Sequence, residues 1–247
     1  KKMQADCLRS FAALLLAGAV LSIAPPVLPD AWSRTGTQYL AFPVPPYPAE
    51  SGVPPLPFLA SAMESYYDWS IQALREVYHD SCVPIFPNGS QWSCDFLNVN
   101  GTAYLLQHAD RRIGEPECCV FLKPWHPPAP DFVGAHSGAH FLKNNTVQGK
   151  NAVWWQADVP VQEGGPFGYG WYVDEQGQYT APSGFYFGGF WKYANGTDAS
   201  ANVIQYYDSF TVGRPPSSTW EVPASCDQAK QCDNFPHLAS WYTNRHG

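Results

Sequence analysis

Between residues 151 and 226 hydrophobic positions recur every second residue, in short runs of Trp, Tyr, Phe and Val separated by Gly, Pro, Asn and Asp. Four strands follow from this pattern, over 152–159, 167–174, 184–191 and 202–212. The breakers Glu163-Gly164-Gly165-Pro166, Asp174-Glu175-Gln176-Gly177 and Ala194-Asn195-Gly196-Thr197-Asp198 supply the positive or preset φ angles of tight turns. A helix would place apolar residues three and four apart without internal glycines, so the centre of the protein reads as antiparallel sheet. On the fourth strand Val203, Gln205, Tyr207 and Ser209 share one face, and Ile204, Tyr206 and Phe210 part of the other. The more apolar set is expected to face a pocket.

The rest of the chain is less regular. Residues 32–58 hold Pro43, Pro45, Pro46, Pro48, Pro54, Pro55 and Pro57, a density that reads as an extended linker or surface segment rather than a helix or central strand. In 63–79, Tyr66, Trp69 or Ile71, Leu74, Val77 and Tyr78 fit one face of a helix, while the same stretch alternates acceptably as a strand. Residues 94–107 form a hairpin pattern around Asn100-Gly101, and 118–122 make a further short strand. Pro124 to Pro130 force a loop, and 132–142 carry a short helix weakened by Gly134 and Gly138.

Composition narrows the class. A chain of 247 residues fits one all-β or α+β domain with appendages. Charged residues are 14% and aromatics 15%, which excludes a disordered tail or a coiled coil. The aromatic surplus can simply fill a core, and it also suits a cavity for an apolar or sugar-like ligand. The formal charge of −7, with basic residues clustered only at Lys1-Lys2 and Arg111-Arg112, argues against nucleic acid and anionic membrane surfaces.

The amino terminus points to export. Lys1, Lys2 and Arg9 precede an uncharged run over 10–28 that Pro25-Pro26 cut short, matching a signal peptide over 1–31, with an uncleaved signal anchor as the alternative. No stable membrane span is expected after signal cleavage. Sequons at Asn88, Asn100, Asn144 and Asn195 all fall in polar, turn-like contexts, as N-glycosylation requires. Beyond Cys7, the six cysteines Cys82, Cys94, Cys118, Cys119, Cys226 and Cys232 are spaced for disulfides rather than zinc. Cys82 pairs most readily with Cys94; Cys118 and Cys119 point to opposite sides of an extended chain, and one of them is expected to meet Cys226 or Cys232.

Chemistry-bearing motifs are few. His136 and His140 lie four apart with His126 and Asp131 nearby, but the acid of a zinc-protease motif is missing and Gly138 undermines the helix. There is no nucleophile elbow, phosphate loop or dinucleotide fingerprint. Asp68, Asp158, Asp174, Glu175, Asp208 and Glu221 are candidates for glycoside chemistry whose pairing the sequence leaves open. No catalytic residue, metal or cofactor is therefore assigned.

Tyr67-Asp68-Trp69, Asn100-Gly101-Thr102-Ala103-Tyr104 and the segment 204–216, with its Tyr206-Tyr207-Asp208 and Arg214-Pro215, resemble a family of secreted plant and algal proteins often labelled glycosyl-group transferases. Its closing Trp-x-x-Pro-x-x-Cys is present as Trp220 to Cys226. More distantly the chain is similar to ependymin-related proteins and bacterial LolA/LolB-like lipoprotein carriers. The resemblance covers 66–226. It implies a mainly β (α+β) fold: a curved antiparallel half-barrel sheet with one or two short helices on the concave face. It further implies strand for 66–78, a helix near 132–142 in the mouth of the sheet, and a concave pocket suited to acyl chains. The histidine-rich loop 123–151 and the insert 160–166 depart from the pattern, and no D-x-D pair supports the transferase label.

The organisation expected is a signal over 1–31, a Pro-rich linker over 32–62, the β domain over 63–232 and a tail over 233–247. Its partner would be a small hydrophobic or amphipathic ligand bound by Trp69, Tyr104, Trp154, Tyr169, Trp171, Tyr186, Tyr206 and Phe210. An extracellular glycan-binding or weakly carbohydrate-active protein using Asp68 with Asp208 or Glu221 is the alternative. A cell-surface structural role rests only on the Pro-rich segment.

Overall fold

Residues 24–41, 58–82, 92–110, 116–134, 138–157, 167–192 and 198–232 are described by a computed structural model. They build one open, curved antiparallel sheet of 11 strands. These are β1 (Ala31–Ala41), β2 (Phe58–Asp68), β3 (Ala73–Tyr78), β4 (Cys94–Val99), β5 (Thr102–Gln107), β6 (Cys118–Leu122), β7 (His140–Val147), β8 (Lys150–Ala157), β9 (Phe167–Val173), β10 (Tyr179–Lys192) and β11 (Asp198–Val212). Their spatial order is β6-β5-β4-β3-β2-β1-β11-β10-β9-β8-β7. Two meanders, one from each half of the chain, are thus joined where the first strand pairs with the last.

The four aromatic strands appear as β8 to β11, with β10 and β11 longer than their patterns indicated. The 94–107 hairpin forms as β4 and β5, with Asn100 at φ 52° and Gly101 at φ 71°, the double positive φ of a type I′ turn.

Three expectations are corrected. Residues 32–41, counted in the Pro-rich linker, form the central strand β1, because the prolines begin only at Pro43; residues 42–57 lie outside the described residues. Residues 66–78 are not one strand. Asp68 accepts hydrogen bonds from Ser70 N (3.0 Å) and Ser70 Oγ (2.6 Å), Gln72 takes φ 49°, and a 3-10 turn at Trp69–Ile71 folds β3 back on β2. The helix expected near 132–142 is replaced by a turn over 131–134 and by β7, with 135–137 outside the described residues. A hairpin at Gln148 (φ 50°) and Gly149 (φ 75°) pairs β7 with β8 and so holds this segment extended.

The disulfides are Cys82–Cys94, Cys118–Cys226 and Cys119–Cys232. Adjacent cysteines on a strand point to opposite faces, so the last two grip the segment 226–232 from both sides of edge strand β6. Val120 N donates to Lys230 O (2.8 Å) and Cys232 N to Val120 O (2.9 Å), which covers that edge. Two further 3-10 turns, Ser217–Trp220 and Ala224–Cys226, lie against β3 and β6. No helix among the described residues is long and apolar enough to cross a membrane.

Candidate functional site

Residues opposite one another on antiparallel strands share a face, so the register assigns every side chain. One face, here called inner, takes Trp32, Arg34 and Gln38 from β1, Ser65 and Tyr67 from β2, Glu76 and Tyr78 from β3, and Phe96 and Asn98 from β4. From the other half it takes Gln205 and Tyr207 of β11, Phe185 of β10, Tyr169 and Trp171 of β9, and Val153 and Trp155 of β8. Arg34 and Tyr169 interact although β11 and β10 lie between their strands, a gap of about 14 Å in a flat sheet. The sheet therefore curls toward this face.

Two apolar clusters occupy the inner face. One holds Met63, Phe96, Leu105 and Trp125; the other holds Leu28, Val133, Val153, Trp155, Tyr169 and Trp171. Leu28, Trp125 and Val133 come from segments outside the strands, so irregular chain over 24–30, counted in the signal, and over 124–134, which includes the loop expected at 124–130, forms a cover on the face expected to carry one or two short helices. The cover is held by Leu28 N to Pro130 O (2.9 Å), Tyr67 OH to Pro128 O (2.7 Å), Asn98 Nδ2 to Trp125 O (2.8 Å) and Trp125 N to Gly101 O (3.1 Å). Phe132 adds an edge contact to Tyr169, with centroids 5.1 Å apart.

Between the apolar clusters lies a polar centre. The Arg34 guanidinium, in a residue only 5% exposed, sits 4.5 Å from the Trp32 ring and 4.0 Å from the Tyr207 ring. Its Nη2 donates to Gln205 Oε1 (3.2 Å) and lies 3.6 Å from Glu76 Oε1. Glu76 also accepts from Tyr78 OH (2.6 Å) and Ser65 Oγ (3.4 Å), while Tyr207 OH donates to Gln205 Oε1 (2.8 Å) and Gln205 Nε2 to Gln38 Oε1. Burial pulls the Arg34 pKa down, but Tyr207, Tyr169 and Glu76 outweigh it and the net shift is upward, so the guanidinium stays charged. Burial pushes Tyr207 and Tyr78 well above the ordinary phenol range, which keeps both hydroxyls protonated as donors.

Not every polar atom here is used. Arg34 Nε and Nη1, Trp32 Nε1, Trp171 Nε1 and Asn98 Oδ1 are buried without a hydrogen-bond partner among the described residues. Four of these five atoms are donors.

The residues expected to line a pocket divide between the faces. Tyr169, Trp171 and Phe210 lie on the inner face. Trp154, Tyr186 and Tyr206 form a separate outer cluster with Val147, Ala152 and Ile204, and Tyr104 joins another with Leu97 and Cys226. Trp69 is in the β2–β3 turn. On β11 it is the more polar set, Val203, Gln205 and Tyr207, that faces inward. The register there passes from Thr35 opposite Ser209 to Gly36 opposite Tyr207, so Asp208 is an extra residue and Phe210 changes face relative to Tyr206. Arg34, Glu76, Gln38 and Trp32 escaped notice in the sequence; the period-two series Trp32, Arg34, Gly36, Gln38 was the signal available.

The carboxylates proposed for sugar chemistry are dispersed. Asp68 caps the Trp69–Ile71 turn at the end of β2, Asp208 accepts from Gln148 Nε2 (2.7 Å) at the bulge, and Glu221 is exposed beyond β11. Ser93, His108 and Asp95 come together on the outer side: His108 Nδ1 is 2.9 Å from Ser93 Oγ, and its Nε2 is 2.9 Å from Asp95 Oδ1 without the alignment of a hydrogen bond. Ser93 Oγ also donates to Asp110 Oδ1 (2.8 Å) while its amide donates to Oδ2 (2.8 Å), and Arg75 holds Asp95. The serine is thereby tied into a clasp across the open end of the β4–β5 hairpin. Of the sequons, Asn100 is exposed at its turn and Asn144 is exposed on edge strand β7; Asn88 and Asn195 lie outside the described residues.

No protein-family model matches the chain, and no curated protein matches it in sequence. In structure it is similar to an uncharacterized conserved protein from Thermus thermophilus, at 8% identity and a TM-score of 0.43, over 82% of this chain and 90% of that one. It is also similar to MucB in complex with the periplasmic part of MucA, at 12% identity and a TM-score of 0.32, over 79% of this chain and 55% of that one. A putative outer membrane lipoprotein-sorting protein domain from Vibrio parahaemolyticus is similar at 9% identity and a TM-score of 0.30, over 77% of this chain and 89% of that one.

Proposed function

We propose that the protein is a secreted, N-glycosylated binder of a hydrophobic or amphipathic ligand, held between the inner face of the sheet and its cover, with a signal shorter than 1–31 that ends ahead of the packed segment holding Leu28. The observation that carries this reading is the shared aromatic cluster: Trp155, Tyr169 and Trp171 of the sheet pack against Leu28 and Val133 of a cover with no regular secondary structure. Such a cover has no internal hydrogen-bond ladder to break, so lifting it exposes a broad apolar surface at the cost of a few tethers. Three disulfides fit an oxidising compartment, and the sequence resemblance to secreted plant, algal and ependymin-related proteins belongs to the same reading. The dispersed Asp68, Asp208 and Glu221 lend the carbohydrate alternative no support.

Native mass spectrometry of the secreted, deglycosylated protein under gentle and denaturing conditions tests the proposal. A stoichiometric apolar molecule released on denaturation is expected. A protein that is empty as isolated and takes up no acyl compound on incubation overturns it.

A further inference from the structure

The inner face carries buried hydrogen-bond donors, in the polar centre and in the aromatic cluster beside it, that meet no aligned acceptor among the described residues, with the Tyr169 and Tyr207 hydroxyls beside the Arg34 guanidinium. Arg34 Nε and Nη1, Trp32 Nε1 and Trp171 Nε1 are buried without partners among the described residues. Unpaired buried donors destabilise a fold, and a ligand that supplies acceptor oxygens removes that penalty. The cover is tied to this region through Tyr67, which stacks on Trp32 with centroids 5.2 Å apart and whose hydroxyl donates to the Pro128 carbonyl.

Charge decides which oxygens are suitable. Glu76 already lies 3.6 Å from Arg34, and its own oxygens are met by Tyr78 and Ser65. A carboxylate or phosphate arriving beside this pair would leave one buried negative charge without a counterion. That cost exceeds what its hydrogen bonds return. An uncharged carbonyl accepts from the same N–H groups and leaves the balance intact.

We infer, building on the ligand-binding reading above, that the ligand is an uncharged acyl ester, its carbonyl oxygen accepting from Arg34 and its hydrocarbon chain lying against Trp155 and Trp171. Arg34 then selects the head group, while the aromatic cluster holds the tail without regard to its chemistry. The alternation Trp32-x-Arg34 on one strand places donor and ring side by side on the inner face.

The test is displacement of the neutral fluorophore N-phenyl-1-naphthylamine from the intact disulfide-bonded protein by three competitors of equal chain length. These are 1-monooleoylglycerol, oleate and 1-octadecene at pH 7.5. The ester is expected to bind at least about ten-fold more tightly than either of the others, one well-placed hydrogen bond to a charged donor. The double variant Arg34→Met with Glu76→Gln, which removes both charges together, should bring the ester down to the level of octadecene while octadecene itself is unchanged. Oleate binding as tightly as the ester overturns the inference in favour of an acidic head group. Equal displacement by all three shows that no head group is recognised, with tail binding intact. Displacement by none overturns the ligand-binding reading as well. The wild-type comparison decides among these results even if the double variant does not fold.

Discussion

Gly36 shows how much of this sheet is set by single residues. It sits at the β1–β11 bulge, where an added Cβ would lie 2.2 Å from the backbone oxygen of Tyr206, which cannot move without breaking the ladder. Gly36→Ala is therefore expected to destabilise the protein by about 2–3 kcal/mol in urea unfolding, against about 1 kcal/mol for Gly177→Ala, whose φ is +77° but which has open space around it. The buried tyrosines give a second expectation. Tyr207, Tyr78 and Tyr169 have pKa values raised by burial, whereas unfolded tyrosines ionise near pH 10. A raised folded pKa means that their contribution to stability is complete below about pH 10 and is lost as pH rises toward the folded values. Absorbance at 295 nm should show these hydroxyls ionising only together with the loss of the far-UV circular dichroism of the sheet; independent titration near pH 10 would contradict their burial. The aromatic residues were legible as strand formers. The face each one takes was not, because the extra residue Asp208 reverses parity within β11 and leaves no mark in the hydrophobic pattern.

At the level of elements, turns written with glycine after asparagine could be read, and others could not. Asn100-Gly101 signals its hairpin because asparagine tolerates positive φ, whereas Gln148-Gly149 forms the same kind of turn with a residue that rarely does, so the start of β7 fell in the helix expected over 132–142 and the rest of the strand carried no assignment. The cysteine spacing indicated Cys82–Cys94, yet nothing local shows that Cys118 and Cys119 reach more than 100 residues ahead to clamp the segment 226–232. That clamp protects the β6 edge, and its effect should be local. Replacing Cys119 and Cys232 together by serine is expected to cost about 2–5 kcal/mol and to speed amide exchange at Val120 and Cys232, whose hydrogen bonds join the strand to the clamped segment. Leu105 on the neighbouring strand has its ladder on both sides and should keep its protection relative to the global unfolding limit. A uniform loss across the sheet would show instead that the bridge acts only through the unfolded chain.

Across the whole molecule, the topology explains why a stretch that reads as linker became the middle of the sheet. Alternation marks a strand without naming its partner, so the meanders β1 to β6 and β7 to β11 were foreseeable in part, whereas their junction through the first and last strands was not. That junction places Arg34 and Gln38 of β1 beside Gln205 and Tyr207 of β11, residues more than 160 positions apart, and so assembles the polar centre from chain segments that carry no shared motif. It also leaves the inner face to be closed by irregular chain. On the ligand-binding reading proposed above, the strength of that closure would set how readily a ligand enters, and Tyr67 links the cover to the centre through one hydroxyl on Pro128. Tyr67→Phe keeps the ring stacked on Trp32 and deletes only this tether. Losing one net hydrogen bond is expected to cost about 0.5–1.5 kcal/mol in stability. If opening of the cover limits entry, the same change should raise the rate of N-phenyl-1-naphthylamine uptake in stopped-flow fluorescence by about three- to ten-fold, with amide exchange of Leu28 rising in parallel because its bond to Pro130 belongs to the same cover. An unchanged uptake rate accompanied by faster Leu28 exchange would mean that the ligand reaches the inner face by an opening other than this one.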